Sequence, residues 1–138
     1  MRRIAAALIA CALVAGCAST PNEEVQLGGI SLVEVIDGLG NRTAQVLKNL
    51  RGGGSVERAA ADLASINDGY DDLIFHAWKL SPDGQKELAK RAERHIPAVQ
   101  DLIRAVDGSS LEAALLDPLE AMRTKVGILA STPYRQPE

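Results

Sequence analysis

From Ile30 onward, apolar residues recur in steps that alternate between three and four. The first run is Leu32, Ile36, Leu39, Thr43, Val46 and Leu50. The second is Val56, Ala59, Leu63, Ile66, Tyr70, Leu73, Ala77 and Leu80. The third is Leu88, Ala92, His95, Val99, Leu102 and Val106, and the fourth is Leu111, Leu115, Pro118, Met122, Val126 and Leu129. Such spacing keeps one face of a helix apolar, so four amphipathic helices are expected. Gly52-Gly53-Gly54 and Gly108 punctuate the runs, and Ser81-Pro82-Asp83 closes one helix and opens the next. Ser31 with Glu34 reads as a capping box, flanked by an Ile30–Val35 hydrophobic staple; Ser109 with Glu112 reads as a second box. Short connections favour antiparallel neighbours, which predicts an all-α, up-down-up-down four-helix bundle. Pro97 should kink the third helix, and Asp117-Pro118 should kink or break the fourth. Antiparallel pairing around Ser81 would set Asp72 near Arg91 and Asp68 near Arg94, with Glu87 and Arg91 paired within their own helix.

The first residues follow a different pattern. Met1-Arg2-Arg3 precedes 13 apolar or small residues, Ile4 to Gly16. A bilayer span needs about 20 such residues, and a basic start before a short apolar run is the form of a secretory signal. The run ends in Val14-Ala15-Gly16-Cys17, which resembles the lipobox of bacterial lipoproteins, with Val where Leu is commonest. The resemblance implies diacylglycerol on the Cys17 thiol, cleavage just before it, and a fatty acyl group such as palmitate on the new N-terminus. Ala18 stands where an Asp would favour the inner membrane of an enteric-type cell. The sorting rule of those lipoproteins therefore implies the periplasmic face of the outer membrane, or the outer face of the plasma membrane in a Gram-positive source. The expected organisation is a signal over 1–16, a lipidated Cys and polar tether over 17–30, the bundle over 31–131 and a tail over 132–138. The tail carries Pro133 and Pro137 and is expected to fray or lie on the surface.

Composition narrows the function classes. A chain of 138 residues allows one domain. Its net charge of −3 becomes −5 once Arg2 and Arg3 leave with the signal. That balance argues against nucleic acid as a partner and against charge-driven adsorption to anionic lipid. Aromatic residues make up only 3% of the chain, too few for a stacking platform. Cys11 departs with the signal and Cys17 takes the lipid, so neither serves a thiol enzyme, a disulfide or a metal site. No Gly-x-Ser-x-Gly, phosphate loop or Ser-His-Asp spacing is present, and no enzyme, cofactor or metal is expected.

Three groups of residues stand out within this frame. His95 occupies a seam position, and counting from the third turn places it in one layer with Met122, Leu39, Ile66 and Asn67. A His and a Met inside a bundle resemble the ligand pair of the b-type haem bundles, which implies a small-ligand or haem site. The plainer reading is a core His paired with Asn67 or Asp68, with Met122 as gap filler. His76 and Lys79 resemble part of the motif of histidine phosphotransfer domains, but Trp78-Lys79-Leu80 replaces that family's Leu-Lys-Gly. On a helical wheel Phe75 lies nearly opposite the second seam and Trp78 about 120° from it, with Ile74 beside them. Exposed aromatics mark partner sites, so these three residues form the candidate interaction patch. An envelope protein or a second copy of the chain is the expected partner, beside the membrane reached through the lipid. Asp68, Asp71 and Asp72 offer a third possibility, an acidic surface of the kind an immunity or inhibitor lipoprotein would use against a basic partner.

Overall fold

The predicted seams become the buried faces of helices in the computed structural model, which describes residues 25–138. The signal segment, Cys17 and the tether up to residue 24 lie outside the described residues. Helix α1 (Leu32–Arg51) starts at Ser31, whose hydroxyl accepts from the Glu34 amide at 3.3 Å while the Glu34 carboxylate accepts from the Ser31 amide. This is the expected capping box, and it satisfies two amides that the first helical turn leaves without partners. Helix α2 (Val56–Ala77) starts after the glycine turn, with Ser55 accepting from the Arg58 amide. Helix α3 (Pro82–Glu93) is capped by Ser81 and has Pro82 in its first turn.

The third seam is carried by two helices, not one. A turn at Arg94 and His95 separates α3 from α4 (Ile96–Val106), with Pro97 in the first turn of α4. Proline lacks an amide hydrogen, so it is tolerated at that position. The final helix, α5 (Glu112–Leu129), runs through Pro118 without interruption. The box expected at its start forms differently. Ser109 donates to the Val106 carbonyl and accepts from the Leu111 amide, while Glu112 accepts from the Gly108 amide at 2.7 Å. Glu112 thus ties down the turn and not the amide of Ser109.

Four helical rods, the third made of α3 and α4, pack around one apolar core. Every seam residue is buried or partly buried, and Leu119, outside the fourth seam, is buried as well. The packing partners differ from the sequence expectation. Helix α2 lies against α1 and α5, while α3 lies against α1 and α5; α2 and α3 do not share a main interface. As a result Arg91 pairs with Asp37 of α1 at 2.9 Å and with Glu87 at 3.0 Å, and the expected Asp72–Arg91 pair does not form. Asp71 of α2 pairs instead with Lys125 of α5.

The described part of the tether is not simply extended. Gln26–Leu27 (β1) pairs antiparallel with Ile30–Ser31 (β2), joined by Gly28 and Gly29. Both glycines have positive φ, 59° and 82°, which a two-residue hairpin turn of this hand requires. Val25 and Leu27 pack against the core.

Candidate functional site

The interior holds a polar cluster where His95 was expected to matter. Thr43 and Tyr70 are fully buried, and Asn67 is nearly so. The Tyr70 hydroxyl lies 3.1 Å from His95 Nδ1. Thr43 donates to the Leu39 carbonyl at 2.8 Å, as a hydroxyl inside a helix commonly does, and lies 3.9 Å from Met122 Sδ. Asn67 Nδ2 donates to the Pro118 carbonyl at 3.0 Å, and its Oδ1 has no partner among the described residues. Lys125 Nζ reaches both the Asn67 carbonyl and Asp71, which fixes α5 against α2.

His95, Met122 and Asn67 therefore have different partners: Tyr70, Thr43 and Pro118. The expected pairing of His95 with Asn67 or Asp68 does not occur. The His95 ring also lies directly over Gly40 of α1, so close that a Cβ on Gly40 would overlap it. Its Nδ1 edge thus faces Tyr70 and its Nε2 edge faces α1 at Gly40. No group of three or more metal-ligating side chains occurs among the described residues. The seam pattern does not by itself name Tyr70 and Gly40 as the environment of His95. The available signals were a hydroxyl-bearing residue on an otherwise apolar seam and a glycine inside a helix.

Burial holds the His95 imidazole below its ordinary value, opposed by the nearby Asp37 carboxylate. Burial likewise pushes the Tyr70 hydroxyl well above its ordinary range, opposed by the neighbouring Thr43 side chain. Both groups are therefore neutral near pH 7, with Tyr70 suited to donate to Nδ1. Because the folded chain binds the His95 proton less readily than the unfolded one, the stability linked to it is complete above the ordinary value of 6.5. It is lost as the pH falls through the lower folded value. The melting temperature should drop between pH 7.5 and pH 5, and His95→Gln should flatten that slope; an unchanged slope would exclude His95 as its source.

The second candidate region is the end of α2. Phe75 is 57% exposed, whereas Trp78 and Ile74 are partly buried. Trp78 Nε1 donates to the Phe75 carbonyl at 3.0 Å, which fixes the indole against the last helical turn. The Phe75 and His76 rings meet edge to face at 5.1 Å. Lys79 Nζ lies 5.9 Å from both the Phe75 and Trp78 ring centres and 3.1 Å from His76 Nδ1. Aromatic faces, a cation and a His thus form one compact surface cluster.

The C-terminal tail lies beside this cluster. Tyr134 donates its hydroxyl to the Leu129 carbonyl at 2.6 Å, and its amide donates to Gln85 Oε1. Gln85 Nε2 in turn donates to the Trp78 and Leu80 carbonyls. The tail is therefore pinned to the surface through Tyr134 and does not simply fray. It borders an open groove of about 780 Å³ that includes Ile74 and Ile128. Phe75 and Trp78 do not line that groove. Among the described residues no helix is long and apolar enough to cross a membrane. Neither a family model nor a curated protein nor a solved structure matches the chain.

Proposed function

We propose that this chain is a lipid-anchored protein of the bacterial cell envelope whose folded part is a protein–protein interaction module. Cys17 carries the acyl chains, and Ala18 favours the periplasmic face of the outer membrane, or the outer face of the plasma membrane in a Gram-positive cell. The module docks on an envelope protein or on a second copy through Phe75, Trp78 and Ile74, and it binds without catalysing a reaction. The observation that carries this reading is Phe75, a large aromatic side chain left in solvent beside Trp78. Trp78 itself is held in place by a hydrogen bond, so the patch is ordered before any partner arrives. Rigid aromatic anchors of this kind dominate binding energy at interfaces.

The proposed bundle alternates in direction, up-down-up-down, and bends at Pro97 and Pro118. The short turns favour alternation, and so do the cross-helix pairs. Arg42 meets Ser65 and Leu39 meets Gly69, in opposite chain order. Arg91 meets Asp37 and His95 meets Gly40, in the same order.

Two measurements test the function. Cys17→Ser should move the protein almost entirely from the membrane fraction to the soluble fraction; continued membrane association would remove the anchor from the proposal. In-cell crosslinking from a photoreactive residue at position 74 should give a discrete adduct. The adduct should disappear in Phe75→Ala/Trp78→Ala while the melting temperature stays within a few degrees. An adduct that survives the double substitution would show that the patch is not the docking surface.

A further inference from the structure

We infer that the end of the bundle where the chain enters rests against the lipid headgroup layer, with Ile30, Phe75 and Ile128 as the contacting side chains. This rests on the lipid-anchored reading and deepens it by naming the first surface the patch meets. Among the described residues the exposed large hydrophobics are Ile30, Phe75 and Ile128. They come from widely separated parts of the sequence: β2, the end of α2 and the end of α5.

The fold gathers them at one end. Ile74, next to Phe75, shares a groove with Ile128. The order of the Leu39–Gly69 and Arg42–Ser65 contacts sets the start of α1 beside the end of α2, and Ile30 lies two residues before the first residue of α1. Isolated exposed hydrophobics are ordinary; what sets these three apart is that they fall at one end of the bundle. Trp78 and Lys79 suit a lipid boundary in particular. The indole presents an apolar ring whose N–H is already satisfied, and the Lys79 ammonium lies close to two aromatic rings.

Tether length supplies the orientation. Cys17 and Val25 are eight residues apart, a reach of at most about 29 Å. Helix α1 has 20 residues and is therefore about 30 Å long. Turning the opposite end toward the lipid would lift Val25 by about the full reach of the tether. The short tether thus favours the entry end at the surface, the pose that does not require it to be fully extended. The net charge after signal removal is −5, so apolar contact, not attraction to anionic headgroups, is what this end offers. A protein that docks at Phe75 would therefore have to displace it from the lipid layer, at membrane level.

The chain has a single Trp, and its emission reports this end of the bundle. The test uses the full lipidated protein on phosphatidylcholine vesicles that carry a nitroxide on some headgroups. Trp78 emission should fall at least twofold relative to unlabelled vesicles, and Phe75→Ser/Ile128→Ser should reduce that quenching. In Trp78→Phe/Ser110→Trp the only indole sits at the opposite turn and should remain unquenched. Protein that floats with the vesicles but shows no Trp78 quenching would overturn the orientation while leaving the anchor intact. Quenching at both positions would indicate a bundle lying flat and would overturn it too. Protein that fails to float would overturn the anchored reading, and this inference with it.

Discussion

Tyr70→Ala is expected to lose about 3–5 kcal/mol of stability, against less than about 0.5 kcal/mol for Phe75→Ala, further along the same helix. Tyr70 is fully buried among the seam residues of the core, so truncation removes a large apolar contact area and leaves a cavity. It also strips His95 Nδ1 of its neighbour at 3.1 Å. A single domain is typically stable by only about 5–15 kcal/mol, so this substitution alone brings the bundle near its limit. Tyr70→Phe separates the two contributions by keeping the ring and removing the hydroxyl, at an expected cost of about 1 kcal/mol. Phe75 is already in solvent, so its loss should register in binding and not in folding. Urea unfolding of the three variants checks this. A Phe75→Ala midpoint as low as that of Tyr70→Ala would show that Phe75 is core and would withdraw it from the interaction patch.

The other large effect is a contrast between two glycines of α1. Gly38→Ala should stabilise the protein by about 0.5–1 kcal/mol, because a helix interior favours Ala over Gly and the added methyl meets open space. Gly40→Ala has the same helix-propensity gain but should destabilise by about 1–2 kcal/mol overall. Its Cβ would overlap the His95 ring, which must swing outward and abandon Tyr70. A buried hydroxyl left without its partner costs about 1–3 kcal/mol, enough to reverse the sign. Thermal melts of the pair decide the matter: equal stabilisation by both would mean that His95 moves freely and that the polar cluster is not a constraint.

The pattern of apolar positions made the rods legible because helical periodicity is a property of one element read alone. It located the burial of residues such as Leu63, Leu102 and Leu129, and it located the cap at Ser31. Which rod faces which is a property of two elements, and the apolar seam of α3 is equally compatible with α1 and with α2. Arg91 therefore had two plausible carboxylate partners, and Asp37 has it. The same uncertainty hid the setting of His95. Counting residues from a turn placed it near Asn67, but its height is set by the turn at Arg94 and His95, which the seam passes through unmarked. Strands of two residues carry no period, so only Gly28-Gly29 hinted at the hairpin. Phe75 was readable as outward-facing because it opposes the buried face of its own helix. The groove beside it was not, since it depends on Tyr134 folding back onto Leu129 and Gln85.

The hairpin at the head of the domain also has a mechanical meaning. If Cys17 is held by lipid while a partner draws on the bundle, the load arrives at Gln26 and is resisted at Ser31, which faces it across the pair. Strands loaded from their open end unzip rung by rung, and here the packing of Val25 and Leu27 on the core adds to what the rungs resist. Opening the hairpin frees the five steps from Gln26 to Ser31, about 12 Å of slack beyond the strand spacing, before the pull reaches α1. Were the chain anchored as proposed, the hairpin that turns at Gly28 and Gly29 would lie in the path of that load, ahead of the core.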